Sequence, residues 1–438
     1  MAKKTIYKNL KLIDGASADM TVVEGKKIVV ENGVIVDILD IDSKVKGKEI
    51  DLEGAYLLPG LINLHSHLPA SGKPMSYGSG LSGALSILKK MTVGKAVMRS
   101  LTYSNAVAEL YGGCTTVRTV GGLIDCDSVI RDQINKGKKQ GPRLLVANEA
   151  IAPENGHMVG TVAVACKTVD EVVAKVKEVA KQKPDLIKLM ITGGVLDAKD
   201  GGEPTLRMSP EFVKAACDEA HRQGFKVAAH VESTEGVRVA LENGVDTVEH
   251  GGVLTDELIE LFKERDAALI CTISPAAPFV YYGKELYTNP NAIASGNIVF
   301  AGIVKAAKTA KENGIKVGLG NDTGCPYVNH YEFWRELCWY KRFVETTNGE
   351  AIYAATLGNA IIAGIEKETG SIEVGKAADF IVVKKNPLED LEALRHPYMV
   401  CARGNLVKEP PYNVPDNIQD YLDRAQYAPL PYDIDLSV

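Results

Sequence analysis

From about residue 56 to 365, short and nearly all-apolar runs alternate with longer stretches whose apolar positions recur at helical spacing. A parallel sheet with crossover helices requires that alternation. The runs are Leu57–His65, Cys114–Val120, Arg143–Ala147, Asp185–Ile191, Lys226–Val231, Thr247–His250, Ala268–Ile273 and Lys316–Gly320. Eight parallel strands of this kind close a (β/α)8 TIM barrel. The intervening helices have legible ends. Ser209 is an N-cap with Pro210 at the first helical position, and Gly224 follows Glu211–Gln223. Asn243-Gly244 and Asn313-Gly314 stop two further helices.

Both chain ends follow a different rhythm. Thr5–Leu12, Thr21–Val23, Lys27–Glu31 and Val34–Leu39 are short β-rich runs separated by Gly15, Gly25 and the Asn32-Gly33 turn. Strand-like runs return at Phe380–Lys384 and Tyr398–Arg403. The expected organisation is an α/β chain with a catalytic barrel over 56–365 and a small β-sandwich domain from 1–55 plus 366–408. The tail over 409–438, rich in Pro, Tyr and Asp, is either an ordered arm packing on a neighbour or a loose end. Pro69–Gly94 carries Gly72, Gly78, Gly80, Gly83 and Pro74 and reads either as an active-site lid or as a structural surface loop.

Composition narrows the class. A formal charge of -6 over 438 residues gives no electrostatic reason to expect nucleic acid, so a small molecule is the expected partner. The N-terminus has lysines but no apolar stretch behind them of the kind a secretory signal needs. No segment approaches 18 uninterrupted apolar residues, so no membrane span is expected. The eight cysteines are scattered without a Cys-x-x-Cys pair, as buried free thiols in a reducing cytoplasm would be.

The chemistry gathers at strand tips. Of eight histidines, His65, His67, His230 and His250 end predicted strands on the C-terminal side, where barrel enzymes place their sites. Side chains two apart on a strand point to the same side, so His65 and His67 can grip one ion. Asp322, at the tip of the last strand, faces the first strand once the barrel closes. Alone, each strand-end histidine reads as a structural residue and Asp322 as a cap; together they read as a metal site. Lys188 is a single lysine inside the apolar run Asp185–Ile191. A buried amine must be paired, neutralised or chemically changed.

This set resembles the amidohydrolase superfamily, in the binuclear subtype with a carboxylated lysine on the fourth strand. The likeness runs from Leu57-Leu58-Pro59-Gly60 through Gly370–Asp379. It implies two divalent ions, most naturally zinc, and a carbamate on Lys188 formed from carbon dioxide. His65, His67 and Asp322 would bind one ion, and His230 and His250 the other. Two ions about 3.5–4 Å apart share a water whose pKa falls from 15.7 to roughly 7, giving a bridging hydroxide. Asp322 would serve as both ligand and general base/acid in amide hydrolysis.

Gly113–Arg118, Gly141-Pro142-Arg143, Asn155-Gly156-His157 and Thr192-Gly193-Gly194-Val195 are similar to the prolidase-like group of Xaa-Pro dipeptidases and metal-dependent carboxypeptidases. That likeness implies a dipeptide or N-acyl amino acid substrate and a homo-oligomer. His157 is implied to contact substrate or oxyanion. Arg118 is placed either on a substrate carboxylate or in an ion pair at the barrel mouth, and Tyr281 and Tyr282 either line the pocket or pack beneath a loop. Asn321, Thr119 and Asn155 depart from the group's usual Thr/Ser, Asp and Gly. A cyclic amidohydrolase of the hydantoinase, dihydroorotase or imidazolonepropionase type uses the same ligands and is the alternative. A mononuclear deaminase fits less well, because Ser233 stands where its Glu is expected and Lys188 is present. A non-catalytic scaffold is disfavoured by the filled ligand positions.

Overall fold

The computed structural model describes residues 4–73, 80–414, 416–431 and 434–437. Its centre is the barrel, and every residue of the first strand, Leu61–Ser66, is buried. Parallel pairing carries on through Cys114–Thr119 to Arg143–Val146. There the third strand bends at Asn148, whose φ is 59°, and resumes as Ala150–Pro153, which pairs with Leu186–Met190. Lys226–Val231, Thr247–His250, Ala268–Cys271 and Lys316–Leu319 complete the round, each parallel to the one before it. The backbone after the eighth strand closes on the first: Asp322 N–H donates to His65 O at 3.0 Å, and His67 N–H to Thr323 O at 2.7 Å. Gly320 permits that approach, since a Cβ there would stand 2.4 Å from His65 Cβ. An extra strand, Ala163–Cys166, pairs outside the bent third strand.

A second, mixed sheet is built from both chain ends. Its order is Asn405–Lys408, Met399–Ala402, Phe380–Val383, Lys48–Pro59, Thr5–Leu12, Lys26–Glu31 and Val34–Asp40. Tyr7, Leu10, Ile28, Leu52, Leu57, Phe380 and Met399 form its own apolar core, as a β-sandwich unit requires. The expected run Leu57–His65 is in fact two strands. Lys48–Pro59 belongs to this sheet and Leu61–Ser66 to the barrel, with Gly60 between them against Thr115. Apolarity is continuous across that point, so the pattern does not mark where the chain changes sheets. Of Thr21–Val23, only Val23 bridges, to Leu12.

The helix ends follow the sequence signals. Ser209 accepts a hydrogen bond from Phe212 N–H at the start of Pro210–Arg222. Asn243 and Asn313 are the C-caps of Thr234–Glu242 and Pro290–Glu312. Within Pro69–Gly94, Gly80–Leu88 is helical, while Pro74 and Gly78 lie outside the described residues. The tail forms a helix, Asp416–Tyr427, that docks on its own chain through buried Ile418, Leu422 and Ala425. Arg335, 2% exposed, holds it with bonds to Asp423 at 2.8 Å and Gln426 at 2.5 Å. No helix among the described residues is long and apolar enough to cross a membrane. The eight cysteines are free thiols, six of them buried.

Candidate metal centre

The strand tips bring His65, His67, Lys188, His230, His250 and Asp322 to one pocket at the C-terminal mouth of the barrel. Ring centroids of His65 and His250 lie 4.7 Å apart, as do those of His230 and His250. Ligand atoms of His65, His250 and Asp322 all fall within 4.8 Å of one another, and so do those of His230, Glu232 and His250. His250 therefore stands between the two groups. It turns into the site because its φ of 69° breaks the strand alternation that leaves Glu249 facing inward.

Hydrogen bonding assigns each imidazole a free nitrogen. His65 Nδ1 meets a carboxylate oxygen of Glu249 at 2.8 Å, and His67 Nδ1 meets the carbonyl of Gly121 at 3.0 Å. Neither partner has a hydrogen to give, so both rings carry theirs on Nδ1. Their Nε2 atoms then point lone pairs at Asp322 Oδ1, 3.4 and 3.2 Å away, an oxygen that accepts no hydrogen bond among the described residues. Three acceptors facing one another repel unless a cation lies among them. On the other side His230 donates Nε2–H to Gly193 O at 3.1 Å, which leaves Nδ1 free, and His250 Nδ1 is held by Thr272 Oγ1 at 2.7 Å.

Burial is the first cause of every shifted acidity in the site. It lowers His230 and His250 well below the usual imidazole range, so both stay neutral as ligands must. Burial would raise Asp322, and positive charge on the His65 and His67 side brings the carboxyl well below its usual range; with both rings neutral, a cation among the three acceptors would have to supply that charge. Lys188 is 1% exposed, its Nζ has no hydrogen-bond partner among the described residues, and burial brings its pKa down to about 8. An unpartnered, readily deprotonated amine between two ligand groups is suited to become a carbamate, so this donor set fits a pair of divalent ions.

The remaining expected residues divide. His157 lines the pocket, stacked on His230 at 4.5 Å with its Nδ1 2.7 Å from Asp197. Gly194 makes room for that ring, because a Cβ there would come within 2.4 Å of it. Arg118 is not brought into the pocket. It is an inner ion pair, with Nη2 donating to Glu249 at 2.7 and 2.9 Å and Nε to Leu64 O at 2.6 Å. Tyr281 stacks on Trp339 and Tyr282 packs on Tyr421, so packing between helices, rather than beneath a loop, has taken both away from the pocket wall. Met158, Val162, Met190, Phe279, Tyr287, Val299 and Ile303 form that wall.

Two pocket groups were not anticipated. Glu232, whose carboxyl burial pushes up to about 8, follows His230 by two positions, the same spacing that singled out His65 and His67. Cys325 donates its thiol to Asp322 Oδ2 at 3.2 Å. Only its place in the loop after Asp322 hinted at it.

The likeness to known proteins agrees with this geometry. A Bifidobacterium longum protein provisionally assigned as a prolidase is 34% identical, with a TM-score of 0.86 over 98% of this chain and 100% of that one. A Xaa-Pro dipeptidase with methionine bound in its active site is 30% identical, with a TM-score of 0.79 over 93% of this chain and 100% of its own. Ochratoxinase of Aspergillus niger is 27% identical over 389 residues, 81% of this chain and 76% of its own. The amidohydrolase family model matches residues 56–407, where the barrel and the six side chains converging at its mouth lie, and the chain belongs to the amidohydrolase family, a hydrolase acting on C–N bonds.

Proposed function

We propose that this chain hydrolyses an amide bond in small substrates, dipeptides or N-acyl amino acids, with two divalent ions, zinc in the first instance. His65, His67 and Asp322 would hold one ion, His230 and His250 the other, and a carbamate on Lys188 would lie between them. The single observation that carries this reading is the convergence of three acceptors, His65 Nε2, His67 Nε2 and Asp322 Oδ1, beside the unpartnered Nζ of Lys188. Two such ions supply Lewis acidity toward the carbonyl and lower the pKa of water from 15.7 to roughly 7.

The protein's own groups supply the rest. Asp322, ionised and aimed by its neighbours, accepts the proton of the attacking water and returns it to the leaving nitrogen. His157, its Nδ1 engaged by Asp197, turns its other nitrogen to the substrate. The apolar wall from Met158 to Ile303 receives a hydrophobic side chain or acyl group and excludes water from it.

A screen of dipeptides, N-acyl amino acids and cyclic amides for released amino acid tests the substrate class, on protein expressed with zinc and bicarbonate. Activity confined to cyclic amides overturns the peptidase assignment. Elemental analysis of the same material should give two zincs per chain, and a metal-free, active enzyme would sink the mechanism.

A further inference from the structure

Glu249 is fully buried beside the ligand histidines, yet it does not line the pocket. Its carboxylate accepts from His65 Nδ1 at 2.8 Å, from Arg118 Nη2 at 2.7 and 2.9 Å, and from Thr247 Oγ1 at 2.7 Å. Arg118 is equally committed. Its Nε donates to Leu64 O at 2.6 Å and its Nη1 to Thr247 Oγ1 at 3.2 Å. The cluster therefore ties the first, second and sixth strands together directly behind His65.

We propose that Glu249, itself aimed by Arg118, is a positioning residue that fixes His65 in the Nδ1–H tautomer and points its Nε2 at the ion shared with Asp322. This rests on the metal-binding reading of the site. A carboxylate acceptor on the far nitrogen of a ligand histidine sets the tautomer, holds the ring plane and raises the basicity of the ligating nitrogen. His67 gives its Nδ1–H to a neutral carbonyl instead, that of Gly121. The two histidines of the pair are thus unequal: His65 is held by a carboxylate and His67 by a neutral carbonyl, and the geometry of His65 is set from two other strands.

A purely structural role does not account for the arrangement. Buried ion pairs are often replaced by apolar residues without loss of stability. Here a carboxylate, a guanidinium and an imidazole are kept at 0%, 5% and 1% exposure, and the imidazole end opens onto the pocket.

The first test needs no variant of the relay. Nitrogen-15 NMR of histidine-labelled, metal-free protein, with His65 assigned by its missing signal in His65→Asn, should show a hydrogen on Nδ1 and none on Nε2. A hydrogen on Nε2 overturns the proposal. The second test is zinc titration against a competing chelator. Glu249→Gln should weaken one of the two ions by about 10- to 100-fold and leave the other as in the wild type. Unaltered binding of both ions, or a fall in the metal-free melting temperature with zinc affinity unchanged, overturns the positioning role. Should Glu249→Gln not fold, Arg118→Lys, which keeps the charge but loses the fork, should weaken the same ion by a smaller factor; wild-type affinity there also overturns it. A wild-type protein that takes up no zinc overturns the metal reading instead, and the tautomer measurement separates that failure from one of the relay alone.

Discussion

Replacing Lys188 with methionine should make the metal-free protein more stable while removing its function. The lysine is 1% exposed and its Nζ has no partner among the described residues. Burial brings its pKa from 10.5 to about 8, although Glu249 and Asp322 pull the other way. A shift of that size corresponds to about 3 kcal/mol. The sign follows from proton counting. Below about pH 8 folded and unfolded chains both carry the proton, so the penalty is fully in force. Between about 8 and 10.5 the unfolded chain binds more protons than the folded one, and stability climbs with pH. Methionine has similar reach and no charge, which avoids a cavity. Urea unfolding of chelator-treated protein, freed of bicarbonate, should therefore show Lys188→Met more stable by about 3 kcal/mol at pH 7 and flat across the alkaline window. The same variant should fail to retain both zincs and should lose turnover. A variant less stable than the parent at pH 7, or one that keeps two ions, refutes the reasoning.

Other groups carry separate predictions. Asp127 is fully buried, and burial raises its carboxyl to about 6. Its folded state holds a proton the unfolded state has lost, so stability falls as pH rises from about 4 to 6, by about 3 kcal/mol in all; Asp127→Asn should abolish that slope in thermal melts, and an unchanged slope would refute it. Arg335→Met leaves the buried Glu332 without its cation, while Asp423 keeps Arg395, and should cost about 3–5 kcal/mol. Limited proteolysis should then cut first near the helix Asp416–Tyr427, and a wild-type digestion pattern would count against the docking role. Ile303→Ala widens the apolar wall and should shift kcat/KM toward bulkier substrates by roughly 10- to 200-fold; equal losses for all substrates would place Ile303 outside the recognition surface.

Much of the site was legible because strand tips are legible. The eight runs of the barrel, the i, i+2 pair His65 and His67, and Lys188 alone in an apolar strand all stand out locally. Glu232 obeys the same i, i+2 rule after His230 and went unnoticed because the strand pattern ends at Val231. Glu249 was hidden by its neighbour. Alternation allows only one of Glu249 and His250 to face inward, and the positive φ of His250 brings both to the centre. Arg118 was visible as a cation at a strand end, but its acceptor was not. Tyr281 and Tyr282 follow the seventh strand as a pocket pair would, yet Trp339 and Tyr421 offered larger packing surfaces elsewhere. The tail could be read as an ordered arm, but not as one docking on its own chain, because Arg335 and Arg342, which hold it, lie 88 and 84 residues away from their partners.

Periodicity, caps and turn residues are consequences of backbone geometry over a few residues, so the order of strands and helices and the location of chemistry at the C-terminal mouth could be read from the chain alone. Which nitrogen of each histidine is free, which cation meets which carboxylate, and where the apolar run at Gly60 passes from one sheet to the other depend on barrel closure. His65 and Glu249 are 184 residues apart, and Asn63 and Asn321 are 258 apart. No local pattern records such pairs. A buried hydrogen-bonding group takes whatever partner the closed barrel sets within about 3 Å, and tertiary structure alone decides which partner that is.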